Sequence, residues 1–319
     1  MPPDTSLPVE AGLVRTLLNG EFAVTAELTP PLSASADDLL DKALPLRGVV
    51  DAVNVTDGAG ARAHLSNVAA AGLMMQRGIE PVLQFTCRDR NRIALQSDLL
   101  GAGAFGVRNV MILGGDDPKQ GDQPDAQPVF DLDTGGFIDM ARRMRDEGTI
   151  LSGREIASPP DLFIGAADTP IDPEPGWTPE RLLAKAASGA QFVQTQFCFD
   201  AGIVERYIAR LRDHGATDQL FVLMGIGPIR SAKSARWMRE NLWGVIIPDE
   251  IVDRLDQADD ERAEGRRVCV ELIQRFREID GIAGVHIMAI RQEETIPEIL
   301  AAAGIGPTHR DQPAPAAAR

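Results

Sequence analysis

Short apolar runs recur along the chain, and each of them ends in a polar or glycine-rich step. The runs are near-continuous stretches of aliphatic and β-branched residues, which is typical of strands that are buried on both faces of a parallel sheet. They predict eight strands, at 22–28, 50–57, 81–87, 109–115, 161–167, 192–198, 220–227 and 285–290.

Helical patterns are found between the predicted strands, at 181–188, at 262–279 and, as a weaker signal, at 136–147. Thr178-Pro179-Glu180 predicts an N-cap with proline in the first turn. Eight strand-then-helix alternations without a compositional break favour one closed domain. We therefore expect a single (β/α)8 TIM barrel at 21–305, with an N-terminal extension and first helix at 1–20 and a disordered tail at 306–319.

Composition narrows the classes of function. A length of 319 residues suits one such barrel, and a net charge of −15 argues against nucleic acid as a partner. The sequence contains neither eighteen consecutive apolar residues nor a signal-peptide pattern at its start, so we expect a cytoplasmic enzyme without a membrane span. Three cysteines without CxxC spacing predict neither a disulfide framework nor a metal site.

Two glycine-rich segments resemble nucleotide-binding motifs but occur in the wrong context. Residues 101–106 match GxGxxG, yet they precede a predicted strand, so we interpret them as a helix end and turn. Residues 58–63 do follow a predicted strand, but the next acidic residue at a suitable distance, Glu80, precedes the following strand instead of ending it. The sequence therefore argues against a Rossmann domain.

Three predicted strand ends carry chemically useful side chains: Glu27, Asp116 and Gln196. The carboxyl ends of barrel strands meet at one face, so these residues are expected to form one site. A carboxylate could act as a general acid, and an amide could bind the donor and acceptor edges of a heterocycle. From the residues alone, each position also has a purely structural explanation. Glu27 could be a carboxylate at the barrel rim that bonds to backbone amides, and Asp116 could be an aspartate of a turn. Gln196 could be an interior glutamine whose hydrogen bonds are all made within the protein.

Four segments in chain order resemble motifs of the methylenetetrahydrofolate reductase family, and the resemblance covers 20–305. Their counterparts in that family are Glu-Phe-Phe-Pro-Pro, Val-Thr-Tyr, Leu-Arg-Gly-Asp-x-Pro and Thr-Gln-Phe-Phe-Phe-Asp. The segments here are Ala26-Glu27-Leu28-Thr29-Pro30-Pro31, Val55-Thr56-Asp57, Leu113-Gly114-Gly115-Asp116-Asp117-Pro118 and Thr195-Gln196-Phe197-Cys198-Phe199-Asp200.

The resemblance implies a flavin-containing barrel that passes hydride from NAD(P)H through FAD to 5,10-methylenetetrahydrofolate. It implies that Glu27 supplies the proton that opens the folate ring, that Asp116 stabilises positive charge, and that Gln196 binds the pterin. A folate and a nicotinamide nucleotide are then the partners, and a homo-oligomer is compatible with the sequence. The implied flavin contacts are Thr56, Gln84, Leu113, Gly114, Gly115, Asp116, Phe130, Asp131, Ala166 and Lys185.

Several family positions differ in this chain. Asp57 replaces the tyrosine of Val-Thr-Tyr, Gln84 replaces a histidine, and Gly114 replaces the arginine of Arg-Gly-Asp. These changes leave three possibilities for the cofactor: FAD that is bound in a different way, FMN, or no flavin, with NADH used directly. A pterin-dependent methyltransferase and a non-catalytic barrel subunit are the alternative functions. The retention of two carboxylates at strand ends favours the reductase.

Overall fold

The computed structural model of the chain describes residues 12–306. Eight parallel strands close into a barrel in chain order, which confirms the predicted (β/α)8 class. Most of the predicted tail, 307–319, and the first eleven residues lie outside the described part of the chain. The strands are β1 (Ala23–Leu28), β2 (Ala52–Val55), β3 (Pro81–Thr86), β4 (Asn109–Leu113), β5 (Phe163–Asp168), β6 (Phe192–Phe197), β7 (Phe221–Ile226) and β8 (Gly284–Ile287).

Helices surround the barrel, and several begin at a side chain that caps the helix. Asn91, Asp133, Asp200, Ser231 and Asp260 each accept hydrogen bonds from backbone N–H groups of the first turn. The helices are α1 (Gly12–Leu18), α2 (Ala36–Ala43), α3 (Asn67–Met75), α4 (Arg92–Ala104), α5 (Thr134–Asp146), α6 (Glu180–Ser188), α7 (Ala201–Asp213), α8 (Ala232–Asn241), α9 (Asp249–Asp256), α10 (Glu261–Phe276) and α11 (Ile296–Ala302). Short 3₁₀ turns cover Leu44–Leu46, Ala59–Ala61, Pro118–Gln120 and Glu293–Thr295.

The predicted boundaries of the second strand are two residues too long at each end. The apolar run predicted 50–57, whereas β2 ends at Val55. Beyond it, the Asp57 carboxylate accepts hydrogen bonds from Thr86 N at 2.7 Å and Thr86 Oγ1 at 3.0 Å. A side chain thus takes the place of the backbone acceptor that would have continued the ladder. The N-cap prediction for α6 was also displaced by one residue, from Thr178 to Pro179.

The GxGxxG segment at 101–106 has the structure expected of a helix end. Helix α4 ends at Ala104, and Gly106 follows with a left-handed φ of +80°. The segment lies before β4, and the structure gives no helix N-terminus there to receive a phosphate. The interpretation as a helix end and turn is confirmed.

The end of the barrel at the strand N-termini, called the floor here, is closed by α1. Its side chains Leu13, Val14 and Leu17 pack against the first inward-facing residues of the strands, among them Phe163 and Phe192, whose rings stack 5.0 Å apart. The barrel interior is therefore a packed core below its polar upper layers. Within 12–306, no helix is both long and apolar enough to span a membrane.

Candidate active site

The opposite end of the barrel, where the strands terminate, is called the mouth here. Glu27 lies there, on the interior face of β1, with 23% of its side chain exposed. Its Oε2 accepts a hydrogen bond from Gln84 Nε2 at 3.3 Å and lies 3.6 Å from His286 Nε2. The carboxylate is therefore held by side chains of β3 and β8 while it remains open to a ligand.

A buried polar layer lies directly below Glu27. His286 Nδ1 lies 3.0 Å from Thr25 Oγ1, and Gln194 Nε2 donates to Thr25 Oγ1 at 2.9 Å. Gln194 and Asn54 exchange hydrogen bonds through their amides, with Gln194 Nε2 lying 3.0 Å from Asn54 Oδ1. When the Thr25 hydroxyl donates to Nδ1, the His286 ring proton lies on Nε2 and faces Glu27. The layer is thus continuous from β2 and β6 to the carboxylate.

Gln196 lies at the mouth on β6, beside a register shift between Gln194 and Phe197. Its Oε1 accepts from Phe197 N at 2.9 Å, and its Nε2 donates to the carbonyl oxygen of Trp243 at 3.2 Å. An amide has two donor hydrogens and two acceptor lone pairs, so one of each stays available to a ligand. The last residue of the same motif, Asp200, caps α7 by accepting from Ile203 N.

Asp116 lies on the exposed rim after β4, and its partners belong to the loops that follow β2 and β3. Its Oδ2 accepts from Gly60 N at 2.8 Å, and its carbonyl oxygen accepts from Arg88 Nη1 at 3.2 Å. Glu27 has a different set of partners, on β3 and β8. The structure therefore brings Asp116 to the mouth but does not link it to Glu27 by a hydrogen bond.

The loops after β2 and β3 are joined by an ion pair and by a hydrogen bond from an arginine. Asp57 pairs with Arg90, and burial raises the pKa of the Asp57 carboxyl although the Arg90 charge opposes this rise. Arg88 is buried and donates to Asp89 and to the Gly58 carbonyl oxygen at 3.1 Å. Asp57, which replaces the family tyrosine, is therefore engaged in holding this side of the mouth together.

Most polar residues assigned to flavin by resemblance already have protein partners. Asp131 forms a two-pronged ion pair with Arg92, which lowers the pKa of Asp131 to about 2. Lys185 Nζ donates to the Ala167 carbonyl oxygen, and burial lowers the pKa of this amine. Gln84 donates to Glu27. Asp131 is an anion and would repel a phosphate, while Lys185 and Gln84 keep further hydrogen-bonding capacity but already contact protein partners.

The remaining assigned residues offer little accessible surface or no polar side chain. Ala166 is fully buried, and Thr56 Oγ1 is buried without a hydrogen-bond partner in the described part of the chain. Leu113, Gly114 and Gly115 contribute backbone, and Phe130 is exposed with a left-handed φ of +41°. With Gly114 in place of the family arginine, and with Lys185 and Gln84 in contact with protein groups, the residues present are a poor fit to a preformed flavin site.

A separate cleft of about 430 Å³ opens between the loops that follow β2, β3 and β4. Neither Glu27 nor Gln196 lines it. Its charged lining is balanced between three arginines and three aspartates, so it has no clear preference for an anion. These residues are Arg62, Arg88, Arg90, Asp57, Asp89 and Asp98.

Of the two side chains beside the Glu27 carboxylate, the sequence singled out Gln84, with another role, but not His286. Thr25 precedes Glu27 by two residues, so strand alternation could have placed both side chains on one face. His286 carries no motif that singles it out, and the register pairs it with Thr25 across 261 positions. No pattern within a short segment of sequence indicates a contact between residues so far apart. Trp243 was not singled out either.

Comparisons with known proteins agree with these motifs. A family model described as methylenetetrahydrofolate reductase matches residues 13–304. The chain is 28% identical over 249 residues to a probable methylenetetrahydrofolate reductase (NADPH) of Caenorhabditis elegans, covering 75% of this chain and 34% of that protein. It is 22% identical over 300 residues to a 5,10-methylenetetrahydrofolate reductase of Pectobacterium carotovorum, covering 91% and 93%.

The chain spans about a third to two fifths of the length of the eukaryotic relatives, such as the Schizosaccharomyces pombe methylenetetrahydrofolate reductase 2, of which it covers 39%. Among solved structures, a Clostridium thermocellum protein that binds two copies of 5-methyl-5,6,7,8-tetrahydrofolic acid superposes with a TM-score of 0.61. That likeness covers 92% of this chain and 98% of the other at 14% identity, and it shows a shared fold.

Proposed function

The chain belongs to the methylenetetrahydrofolate reductase family, and we propose that it reduces 5,10-methylenetetrahydrofolate to 5-methyltetrahydrofolate with a nicotinamide nucleotide. The observation that carries the proposal is the position of Glu27. Its carboxyl group lies at the barrel mouth, partly exposed, and is oriented by Gln84 and His286. A proton donor that a ligand can reach is the group that this reaction requires.

The reaction needs one hydride and one proton. Protonation of N10 by the Glu27 carboxyl breaks the bond between N10 and the bridging carbon, which leaves an iminium at N5. Hydride from the nicotinamide then adds to the bridging carbon, and the nucleotide leaves in its oxidised form. Gln196 binds the edge of the pterin, and Asp116 stabilises the positive charge of the iminium from the rim.

His286 and Thr25 act on Glu27 from below. The Glu27 carboxylate that remains after proton transfer accepts from Gln84 Nε2 and faces His286 Nε2. Hydrogen bonds to the charged form stabilise the carboxylate. The buried pair of Gln194 and Asn54 fixes Thr25 and thereby the ring of His286.

We infer that hydride passes from the nicotinamide to the folate directly. The support is the engagement of Asp131, Lys185 and Gln84 with protein partners and the replacement of the family arginine by Gly114. The test is an absorbance spectrum of the purified protein after incubation with FAD or FMN. Flavin bands that stay with the protein through desalting would contradict direct transfer.

The proposed reaction is tested by following oxidation of NADH and NADPH in the presence of 5,10-methylenetetrahydrofolate, for wild type, Glu27→Gln and Asp116→Asn. Wild type is expected to form 5-methyltetrahydrofolate in step with nucleotide oxidation. Both variants are expected to be slower, and Glu27→Gln more so. Methyl transfer from 5-methyltetrahydrofolate without nucleotide oxidation would instead identify the methyltransferase alternative.

A further inference from the structure

Trp243 is the most exposed tryptophan in the described part of the chain. It follows α8 and has 77% of its surface exposed. Trp177, by contrast, packs against the Tyr207 ring with the ring centroids 5.9 Å apart. A ligand that covered this exposed ring beside the candidate site would gain the free energy of burying it.

The backbone that carries Trp243 is tightly held, although its ring is open. Ile246 N donates to the Phe197 carbonyl oxygen at 3.3 Å, and Phe199 N donates to the Ile246 carbonyl oxygen at 2.8 Å. These bonds form a parallel bridge between Cys198 and Ile246, so the segment 243–247 runs beside the end of β6. The exposure of the ring is therefore not the consequence of a loose loop.

Gly244 fixes the turn that presents the ring. Its φ is +74°, a conformation that other residues adopt with strain, and a Cβ at this position would collide with the side chain of Thr169 in the loop after β5. The loop after α8 thus lies against the ends of β5 and β6. Trp243 is presented from this packed turn at the mouth.

The hydrogen bond from Gln196 Nε2 to the carbonyl oxygen of Trp243, 3.2 Å long, places the backbone of Trp243 beside the proposed substrate site. The remaining donor and acceptor of the Gln196 amide can contact the edge of a flat heterocycle, while the indole can contact a ring face. An amide edge and an open aromatic face on adjacent residues form a combination that suits a planar ligand with polar edges.

We propose that the Trp243 indole stacks on an aromatic ring of the folate substrate, beside Gln196, and thereby sets the affinity for folate. The assignment rests on the proposed function, because it takes the folate as the ligand of Gln196. A nicotinamide nucleotide also carries flat rings, and the experiment therefore has one arm for each ligand.

The experiment measures the dissociation constants of 5-methyltetrahydrofolate and of NADH by calorimetry for wild type, Trp243→Ala, Trp243→Phe and Trp237→Ala. Trp237 is the matched control, since it is 55% exposed but lies on α8. Substitution at 243 keeps the backbone carbonyl that binds Gln196, so the change reports on the ring alone. Circular dichroism and a thermal melt confirm that each variant is folded.

Trp243→Ala is expected to weaken 5-methyltetrahydrofolate binding about tenfold, as loss of one stacking partner typically does. Trp243→Phe is expected to recover most of the affinity because it restores a ring face, and Trp237→Ala is expected to bind like wild type. The affinity for NADH is expected to stay unchanged in all of the variants.

Two results would overturn the inference while leaving the proposed function intact. One is an active enzyme whose Trp243→Ala variant binds folate as wild type does. The other is a loss of affinity confined to NADH, which would assign the ring to the nucleotide. A wild-type protein that neither binds nor reduces folate would overturn the proposed function and this inference together.

Discussion

Glu27 and Glu80 occupy opposite ends of the same barrel and are bonded in contrasting ways. At the floor, Glu80 accepts from the backbone N–H groups of Gly12 and Leu13 and from Asn109 Nδ2, so both of its oxygens have donors. At the mouth, Glu27 has one donor at 3.3 Å and a histidine at 3.6 Å, both on the same oxygen. A fully bonded carboxylate stabilises structure, whereas a partly bonded one keeps capacity for chemistry.

The same contrast extends to the surroundings of the two carboxylates. Near Glu80, the apolar side chains of α1 pack on the first inward-facing residues of the strands, and the buried polar neighbours Thr16 and Asp51 are bonded to each other. Around Glu27 the interior is polar, with Thr25, His286 and Gln194 in one network. Buried polar groups are retained at a cost in stability and need complete pairing. The network at the mouth ends in the partly exposed carboxylate of Glu27, where a ligand is expected.

The largest expected effect is that of Glu27→Gln on activity. The amide cannot donate the proton to N10, so kcat/KM for folate reduction is expected to fall about 10²–10⁴-fold, the usual contribution of a general acid. The melting temperature is expected to stay close to that of wild type. Steady-state kinetics and a thermal melt test both points. Full activity of the variant would contradict the role of Glu27 as the proton donor.

The matched substitution at the floor, Glu80→Gln, is expected to have the opposite result. The amide presents an NH₂ group to backbone donors that had a carboxylate acceptor, so the free energy of unfolding is expected to fall by about 2 kcal/mol at pH 7. The value of kcat for the folded enzyme is expected to be unchanged. Urea unfolding and kinetics measure the two quantities, and a kinetic defect without destabilisation would refute a structural role for Glu80.

Gln84→Leu tests whether the hydrogen bond from Gln84 orients the Glu27 carboxylate. It removes the donor at 3.3 Å from Glu27 Oε2, and we expect kcat to fall about fivefold, the factor that corresponds to one hydrogen bond of ~1 kcal/mol. Gln84→His restores a donor and is expected to recover most of the rate. If Gln84→Leu raises KM for the nucleotide and leaves kcat unchanged, Gln84 binds the cosubstrate and does not orient Glu27.

The smallest expected effect concerns pH. Burial raises the pKa of the Glu80 carboxyl in the folded protein above the value of about 4.3 that it has when unfolded. The folded state then binds more protons, so this group lowers the stability of the fold as pH rises from the unfolded pKa through the folded one. Glu80→Gln is expected to lack this slope, so its deficit relative to wild type should be larger at pH 4.5 than at pH 7.

Unfolding curves in urea at several pH values measure this slope. A deficit that grows as the pH rises would mean that the carboxylate form is the one that the floor stabilises. That outcome would mean that the pKa of Glu80 is lowered, not raised, in the folded protein.

Much of the fold could be predicted from local patterns. All eight apolar runs form strands of the closed barrel, because burial on both faces requires near-continuous apolar sequence. The ends of strands were less predictable: 50–57 reads as one run, but the ladder stops at Val55 since Asp57 bonds to Thr86 with its side chain. The apolar composition of a segment does not show where a side chain replaces the backbone as a hydrogen-bond acceptor, so it does not show where the strand ends.

The candidate site was predictable in part. Glu27, Asp116 and Gln196 were recognisable because each follows an apolar run, and their roles remain proposals. The lining of the mouth was not: His286 and Thr25 meet across 261 positions, and Trp243 reads as one more residue after a helix. The assignments of Asp131 and Lys185 to flavin likewise took no account of Arg92 and the Ala167 carbonyl oxygen.

The sequence by itself determined the order of strands and helices, the end of the barrel at which Glu27 lies, and membership of the family. These properties are encoded in runs and motifs that are contiguous along the chain. The tertiary structure alone decided which polar groups have partners and which are open, because closing β1 against β8 brings together donors and acceptors from distant segments. Whether a carboxylate supports the fold or can serve the reaction depends on those partners.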